Sequence, residues 1–301
     1  MSDPRVGTPV PGVRLPEATH VGRVRLLVGN LDRSLAYYAG LLGFRVLDRA
    51  PGRAELGCFV GGPLIELIEQ PGATPVPHRG RLGLFHFAIL LPDRASLGRI
   101  FSRLGETGIH AGMADHAVSE SLYLTDPDGL GIELYADRPR AEWTRRGEEL
   151  YMVTDALDTG SLLLAAGSER WAGMPAGTTI GHLHLHVRDL VEARRFYHAA
   201  LGLDLTVWSY PGALFLSAGG YHHHLGVNIW AGSGARAPRE DEARLLDWEL
   251  VLPDRTAATA AARGLERAGH TVEADSSSDG SWRAADPSGT AMRIVPASQA
   301  Q

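Results

Sequence analysis

The feature that most constrains this chain is an internal repeat. Leu31–Gly43 (LDRSLAYYAGLLG) matches Leu190–Gly202 (LVEARRFYHAALG), with Tyr38 over Tyr197 and Gly43 over Gly202. Each reads as an amphipathic helix closed by glycine. A strand precedes each, Gly22–Val28 and Gly181–Val187, at the same offset of 159 residues. A second pair follows. Phe85–Arg94 (FHFAILLPDR) matches Leu246–Arg255 (LDWELVLPDR), each leading into a helix that closes at Gly108 or Gly269. The closing hairpins match as well, TDPDGLGIELYA beside ADPSGTAMRIVP. Every unit opens strand-then-helix and continues in strands, so the chain reads as four βαβββ modules and the fold class as α+β.

Modules one and two occupy residues 20–138, and modules three and four roughly 178–297. Residues 1–19 read as a polar tail. Residues 139–177 read as a linker with a short helix over Leu157–Ala166. In Ser119–Tyr135 (SESLYLTDPDGLGIELY) the Asp126-Pro127-Asp128-Gly129 run is a type I turn between two strands of period two. One strand face carries leucines and isoleucine, and the other carries Tyr123 and Glu133.

Composition limits the function classes. The 301 residues are 44% hydrophobic and 21% charged, as in a globular protein of two ordinary domains. No apolar run reaches the roughly 18 residues of a membrane span. The single cysteine, Cys58, fits a reducing cytoplasm, and a net charge of −6 speaks against nucleic acid. A small-molecule partner is the expectation.

The paired βαβββ units, the DPxG turn and the IEL strand resemble the vicinal oxygen chelate superfamily of glyoxalase I, bleomycin-resistance proteins and extradiol dioxygenases. THVGRVRL, GLFHFAILLPDR, DHAVSESLYLTDPDGLGIELYADRPR, IGHLHLHV and GYHHHLGVNIW resemble its two-domain catechol 2,3-dioxygenase-like members. The resemblance implies two tandem glyoxalase-like domains, 20–138 and 178–297, with curved mixed sheets forming cups. It implies a divalent metal inside a cup, Fe(II) first, with Mn(II), Zn(II) or Ni(II) as alternatives. Members often pair through sheet edges, which would make a homodimer.

By resemblance, the first-strand ligand lies seven residues before the polar anchors Asn30, Asp93, Asp189 and Asp254. Those positions are Arg23, His86, His182 and Asp247. The last-strand ligand falls on Glu133, with Arg293 at the matching place in module four and Glu66 and His224 in modules one and three. Pairing the modules in chain order gives an N-terminal active cup of Arg23, Glu66, His86 and Glu133. There Arg23 stands where relatives carry histidine, and a guanidinium cannot ligate a cation. The metal would then rest on His86, Glu133 and Glu66, or Arg23 would pair with the glutamates and hold an anionic ligand. His116 and Tyr123 resemble the proton-handling histidine and tyrosine of extradiol enzymes. His182, His224 and Asp247 form a second candidate set, more simply read as wall residues.

Three functions follow. The first is extradiol ring cleavage of a vicinal-oxygen aromatic substrate with an altered ligand set. The second is metal-dependent isomerase or lyase chemistry of the glyoxalase type. The third is metal-free binding of a small molecule.

Overall fold

The computed structural model describes residues 13–275 and 280–297. Residues 1–12 of the expected N-terminal tail therefore lie outside the described residues. Module one is β1 (His20–Val28), α1 (Leu31–Leu35, continued by a π-helical turn over Ala36–Leu41), β2 (Arg45–Ala50), β3 (Arg53–Gly57) and β4 (Pro63–Glu69). Module two is β5 (Gly83–Leu90), α2 (Arg94–Glu106), β6 (Gly112–Asp115), β7 (Ser119–Thr125) and β8 (Gly131–Asp137). The linker adds a small hairpin, β9 (Arg145–Arg146) and β10 (Glu149–Leu150), then α3 (Thr159–Ala166). Module three is β11 (Thr179–His186), α4 (Leu190–Arg194, continued by a π-helical turn over Arg195–Ala200), β12 (Asp204–Val207), β13 (Ala213–Ser217) and β14 (Leu225–Asn228). Module four is β15 (Arg244–Leu252), α5 (Arg255–Arg267), β16 (Val272–Ala274), β17 (Trp282–Ala285) and β18 (Ala291–Pro296).

The helix of each of the four modules starts where its polar anchor lies. Asn30, Asp93, Asp189 and Asp254 are N-caps whose side-chain oxygens accept from the backbone N–H three residues on, at 2.7–2.8 Å. The aspartates of the two DP turns are equally alike. Asp126 Oδ1 accepts from the N–H groups of Asp128 and Leu130, and Asp286 Oδ1 from those of Ser288 and Thr290. The repeated tyrosines explain themselves here. The Tyr38 hydroxyl donates to Asp126 and the Tyr197 hydroxyl to Asp286, both at 2.9 Å. Each joins the helix of one module to the turn of the next in its own half.

The strands obey a different pairing. The two eight-stranded mixed sheets run β16-β17-β18-β15-β1-β4-β3-β2 and β12-β13-β14-β11-β5-β8-β7-β6. Each opening strand has its own module's last strand on one side, leaving a buried edge that must find hydrogen-bond partners. β1 fills it with β15 and β5 with β11, both antiparallel. Module one thus shares a sheet with module four, and module two with module three. Residues 20–138 and 178–297 do not each close a sheet of their own, so the cups drawn in chain order do not form. Two connections cross between sheets side by side. Thr74 and Glu242, and Arg81 and Arg236, are bridged in parallel, and Arg81 holds Glu242 with two bonds of 2.7 Å.

Alternation sends one face of each sheet to a shared core. Val24, Leu26, Ile65, Leu67, Trp248 and Leu250 from the first sheet cluster with Phe87, Ile89, Ile132, Leu134, Leu183 and Leu185 from the second. The opposite faces carry the polar residues. Among the described residues no helix is long and apolar enough to cross a membrane.

Candidate metal centre and its cavity

β5, β8 and β11 place His86, Glu133 and His182 on the polar face of one sheet. Their ligand atoms lie within 4.8 Å of one another, and all three residues are buried. Glu133 Oε2 stands 2.9 Å from His86 Nε2 and 3.1 Å from His182 Nε2. Two ligands on one ion at about 2.1 Å and right angles are about 3 Å apart, so the spacing suits a cation. His86 Nε2 is buried yet has no hydrogen bond of acceptable angle, although Glu133 is close. A buried nitrogen left this way lacks an electrophile, which a metal supplies. Ser121 Oγ donates to Glu133 Oε1 at 2.6 Å and fixes the other carboxylate oxygen.

Protonation also favours a cation. Burial pushes the His182 imidazole down to about 4, against the pull of Glu133, so it is neutral near pH 7 with a lone pair to give. Burial works against the Glu133 carboxylate, but His182 first, and His86 beside it, hold it well below the ordinary range. Two imidazoles and one carboxylate on one face of a site make the facial set that non-haem Fe(II) adopts.

The centre opens into a cavity of about 340 Å³ whose wall includes Phe85, His116, Tyr123, Phe215, His223 and Trp230. His116 and Tyr123 both belong to it. His116 Nε2 is 2.6 Å from the Tyr123 hydroxyl, and His116 Nδ1 is 2.6 Å from the Val153 carbonyl. That carbonyl only accepts, so Nδ1 carries the proton and Nε2 accepts from the phenol. Burial drives the Tyr123 phenol well above its usual range, with the Glu133 charge adding to it, so it stays protonated.

Several expectations change. Arg23 and Glu66 sit in the other sheet, away from His86 and Glu133, because modules one and two do not share a cup. Arg23 reaches Glu55 at 3.0 Å, Glu66 at 3.3 Å and Glu249 at 3.2 Å. Glu66 also takes Arg25 at 2.9 Å and Arg53 at 2.6 Å. Arg23 does pair with Glu66, as one reading expected, but Glu133 is not its partner. Burial raises the Glu66 carboxyl, and the Arg53 bond with the charges of Arg23 and Arg25 outweighs it and holds the pKa low. With Arg25 on Asp247 at 2.6 Å and Arg293 on Glu249 at 2.9 Å, guanidinium groups fill this second cup. None of them can be a ligand.

The set His182, His224 and Asp247 is dispersed as well. His182 lies beside Glu133 at 3.1 Å, Asp247 is bound by Arg25 in the other sheet, and His224 Nδ1 accepts from Ala218 N at 3.1 Å. His223 rather than His224 faces the cavity, because residues 221–224 precede β14 and do not alternate as a strand. His223 ends a chain. Its Nδ1 is 2.7 Å from His222 Nδ1, and His222 Nε2 is 2.9 Å from Asp137 Oδ1. The carboxylate accepts from His222 Nε2–H, so His222 Nδ1 accepts from His223 Nδ1–H and His223 Nε2 is left with a lone pair. Tyr135 braces this side through the Tyr221 hydroxyl at 2.8 Å. It passes directly over Gly181, where a Cβ would lie 1.7 Å from its oxygen, so only glycine fits there.

The linker is more than a spacer. Met152, Val153 and Thr154 form part of the cavity wall. Sequence reasoning missed them and the wall residues Phe85 and Phe215, and it assigned His182 to the wrong cup. One signal was available: two opening strands carry imidazoles, His86 and His182, and two carry charges, Arg23 and Asp247. The like pairs share sheets.

Comparison with known proteins agrees with this architecture. The family model of the Glyoxalase/Bleomycin resistance protein/Dioxygenase superfamily matches residues 20–134. The catechol-2,3-dioxygenase of Bacillus subtilis (strain 168) is 48% identical over 275 residues, covering 90% of this chain and 95% of that protein. The chain therefore belongs to the glyoxalase, bleomycin resistance protein and dioxygenase superfamily, the vicinal oxygen chelate fold. A solved Bacillus subtilis structure superposes with TM-score 0.64 at 14% identity, covering 94% of this chain and 86% of that one. Glyoxalase I from Zea mays does so with TM-score 0.54 at 18% identity, covering 93% and 92%. These two show the fold alone.

Proposed function

We propose that this chain is an extradiol, catechol-type ring-cleaving dioxygenase that holds Fe(II) on His86, His182 and Glu133. The observation that carries the reading is the set of two imidazoles and one carboxylate, converging at an aromatic-walled cavity. Its 48% identity to a catechol-2,3-dioxygenase over 90% of the chain supports the substrate class. A volume of about 340 Å³ is at the small end of ligand sites and suits a single substituted ring. Bound iron supplies the redox chemistry that activates dioxygen toward an electron-rich ring.

The protein's own groups do the rest. Phe85, Phe215 and Trp230 bind the ring by apolar contact and exclude water. His223 Nε2, held free by the Asp137–His222 chain, takes a proton from a substrate hydroxyl. Tyr123, kept protonated by burial, donates a hydrogen bond to developing negative charge, and His116 accepts behind it. The two other readings drew on Glu66 or Arg23, which lie in the opposite sheet.

The test is oxygen uptake with catechol by protein reconstituted anaerobically with Fe(II). Uptake with a ring-opened product in the wild type, absent from His182→Ala, is the expected result. An iron-loaded wild type that leaves catechols and oxygen untouched overturns the reading.

A further inference from the structure

A hydrogen-bonded path runs around the cavity from module three to the metal centre, and the linker forms its middle. Residues 149–155 cross the cavity wall. On one side Asp155 and Asp115 exchange two backbone bonds of 2.9 Å, and the Val153 carbonyl accepts from His116 at 2.6 Å. On the other side Thr154 Oγ1 lies 2.9 Å from the Tyr210 hydroxyl, and Glu149 Oε1 accepts from the N–H groups of Trp208 and Ser209 at 2.5 and 2.6 Å. The segment therefore touches both modules of the sheet that holds the centre.

His116 is presented to this segment by unusual backbone. Ala117 has φ +66, the only non-glycine residue with positive φ among those described. Its N–H bonds Asp115 Oδ1 at 2.9 Å, and Arg138 holds the other Asp115 oxygen at 2.6 Å. A strained residue so tightly determined beside a working side chain fixes that side chain's direction. The direction is toward Val153.

We propose that residues 149–155 are a latched strap over the cavity, and that Thr154 and Tyr210 are positioning residues holding the Val153 carbonyl on His116. That contact puts the His116 proton on Nδ1 and leaves Nε2 to accept from Tyr123. Beside Val153 the latch is one neutral bond near solvent, while Glu149 anchors the far end of the strap, so the Thr154–Tyr210 bond biases the strap closed and is weak enough to let ligands pass. A bulky or polar ligand that lifts the strap would also release His116, so closure and competence are coupled. The inference uses the role given to His116 above, but its first readout is independent of ring cleavage.

The experiment records imidazole nitrogen resonances of ¹⁵N-histidine protein loaded with zinc, for wild type, Thr154→Val and Tyr210→Phe. Both variants keep their bulk, and the Asp115–Asp155 bridge is untouched. Wild type is expected to show His116 as the Nδ1–H tautomer, and each variant a shift toward mixed tautomers. With Fe(II) and catechol, each variant should lose about threefold to tenfold in kcat, and the double variant should equal the singles because one bond is removed. Unchanged His116 resonances in both variants, or additive losses in the double variant, overturn the proposal. If His116 shifts but no protein cleaves catechol, the ring-cleavage reading fails and the strap stands.

Discussion

His86 on β5 and His184 on β11 are register partners across two antiparallel opening strands that lie almost a hundred residues apart in the chain. This one pairing sets which polar side chains meet. It draws His182, one pleat away from His184, toward Glu133, and it leaves Arg23 to a different partner strand.

His182 is therefore the test of the centre. His182→Ala should lower iron affinity by at least about a hundredfold, since removing a ligand exceeds the 10–100-fold loss typical of its supporting groups. Asp247→Ala and His224→Ala should keep metal content at the wild-type level. Elemental analysis after anaerobic reconstitution and desalting measures all three, and metal retained by His182→Ala would sink the assignment.

Ser121 is expected to act through Glu133. Ser121→Ala removes the 2.6 Å bond to Oε1 while leaving every ligand in place. Metal affinity should fall about tenfold, measured by competition with a chromogenic chelator, with the fold unchanged by circular dichroism.

Arg23→His separates the two ways of pairing modules. Were Arg23 a replaced ligand, the new histidine would raise iron binding and ring cleavage. In this fold it does neither, because residue 23 faces Glu55, Glu66 and Glu249. The variant should instead lose about 1–3 kcal/mol in urea denaturation, as half-buried carboxylates lose their cation.

The pH dependence of stability follows from the buried histidines. Burial lowers the His224 imidazole to about 3, with the neighbouring histidines adding to the effect. Between its unfolded value near 6.5 and about 3, the unfolded chain binds a proton that the folded protein refuses. Stability contributed at pH 7 is thus lost as pH falls through that window, by about 1.4 kcal/mol per unit for this group. His224→Gln should make the decline of unfolding free energy from pH 6.5 to 4 shallower by up to that slope. An unchanged slope would show that His224 is not buried neutral.

Local chemistry was legible in the sequence. The N-caps Asn30, Asp93, Asp189 and Asp254, the DP turns and the period-two strands depend on residues within a few positions of one another, and each formed as read. Glu133, His86, Tyr123 and His116 also lie within a single module, so the family resemblance could place them in one cup. The repeated tyrosines even marked a tertiary contact, Tyr38 to Asp126 and Tyr197 to Asp286.

What the sequence by itself determined is four βαβββ modules, the face of each strand that meets the core, and the polar residues left on the other face. Which modules share a sheet was decided only by the tertiary structure. A repeat of 159 residues is satisfied equally by pairing modules in chain order or by pairing one with four and two with three, since all four opening strands carry the same unfilled edge. The choice between them rests on backbone hydrogen bonds and packing between strands far apart in the chain. That choice put His182 beside His86 and Glu133, sent Arg23 into a cluster of ion pairs, and folded the linker over the cavity.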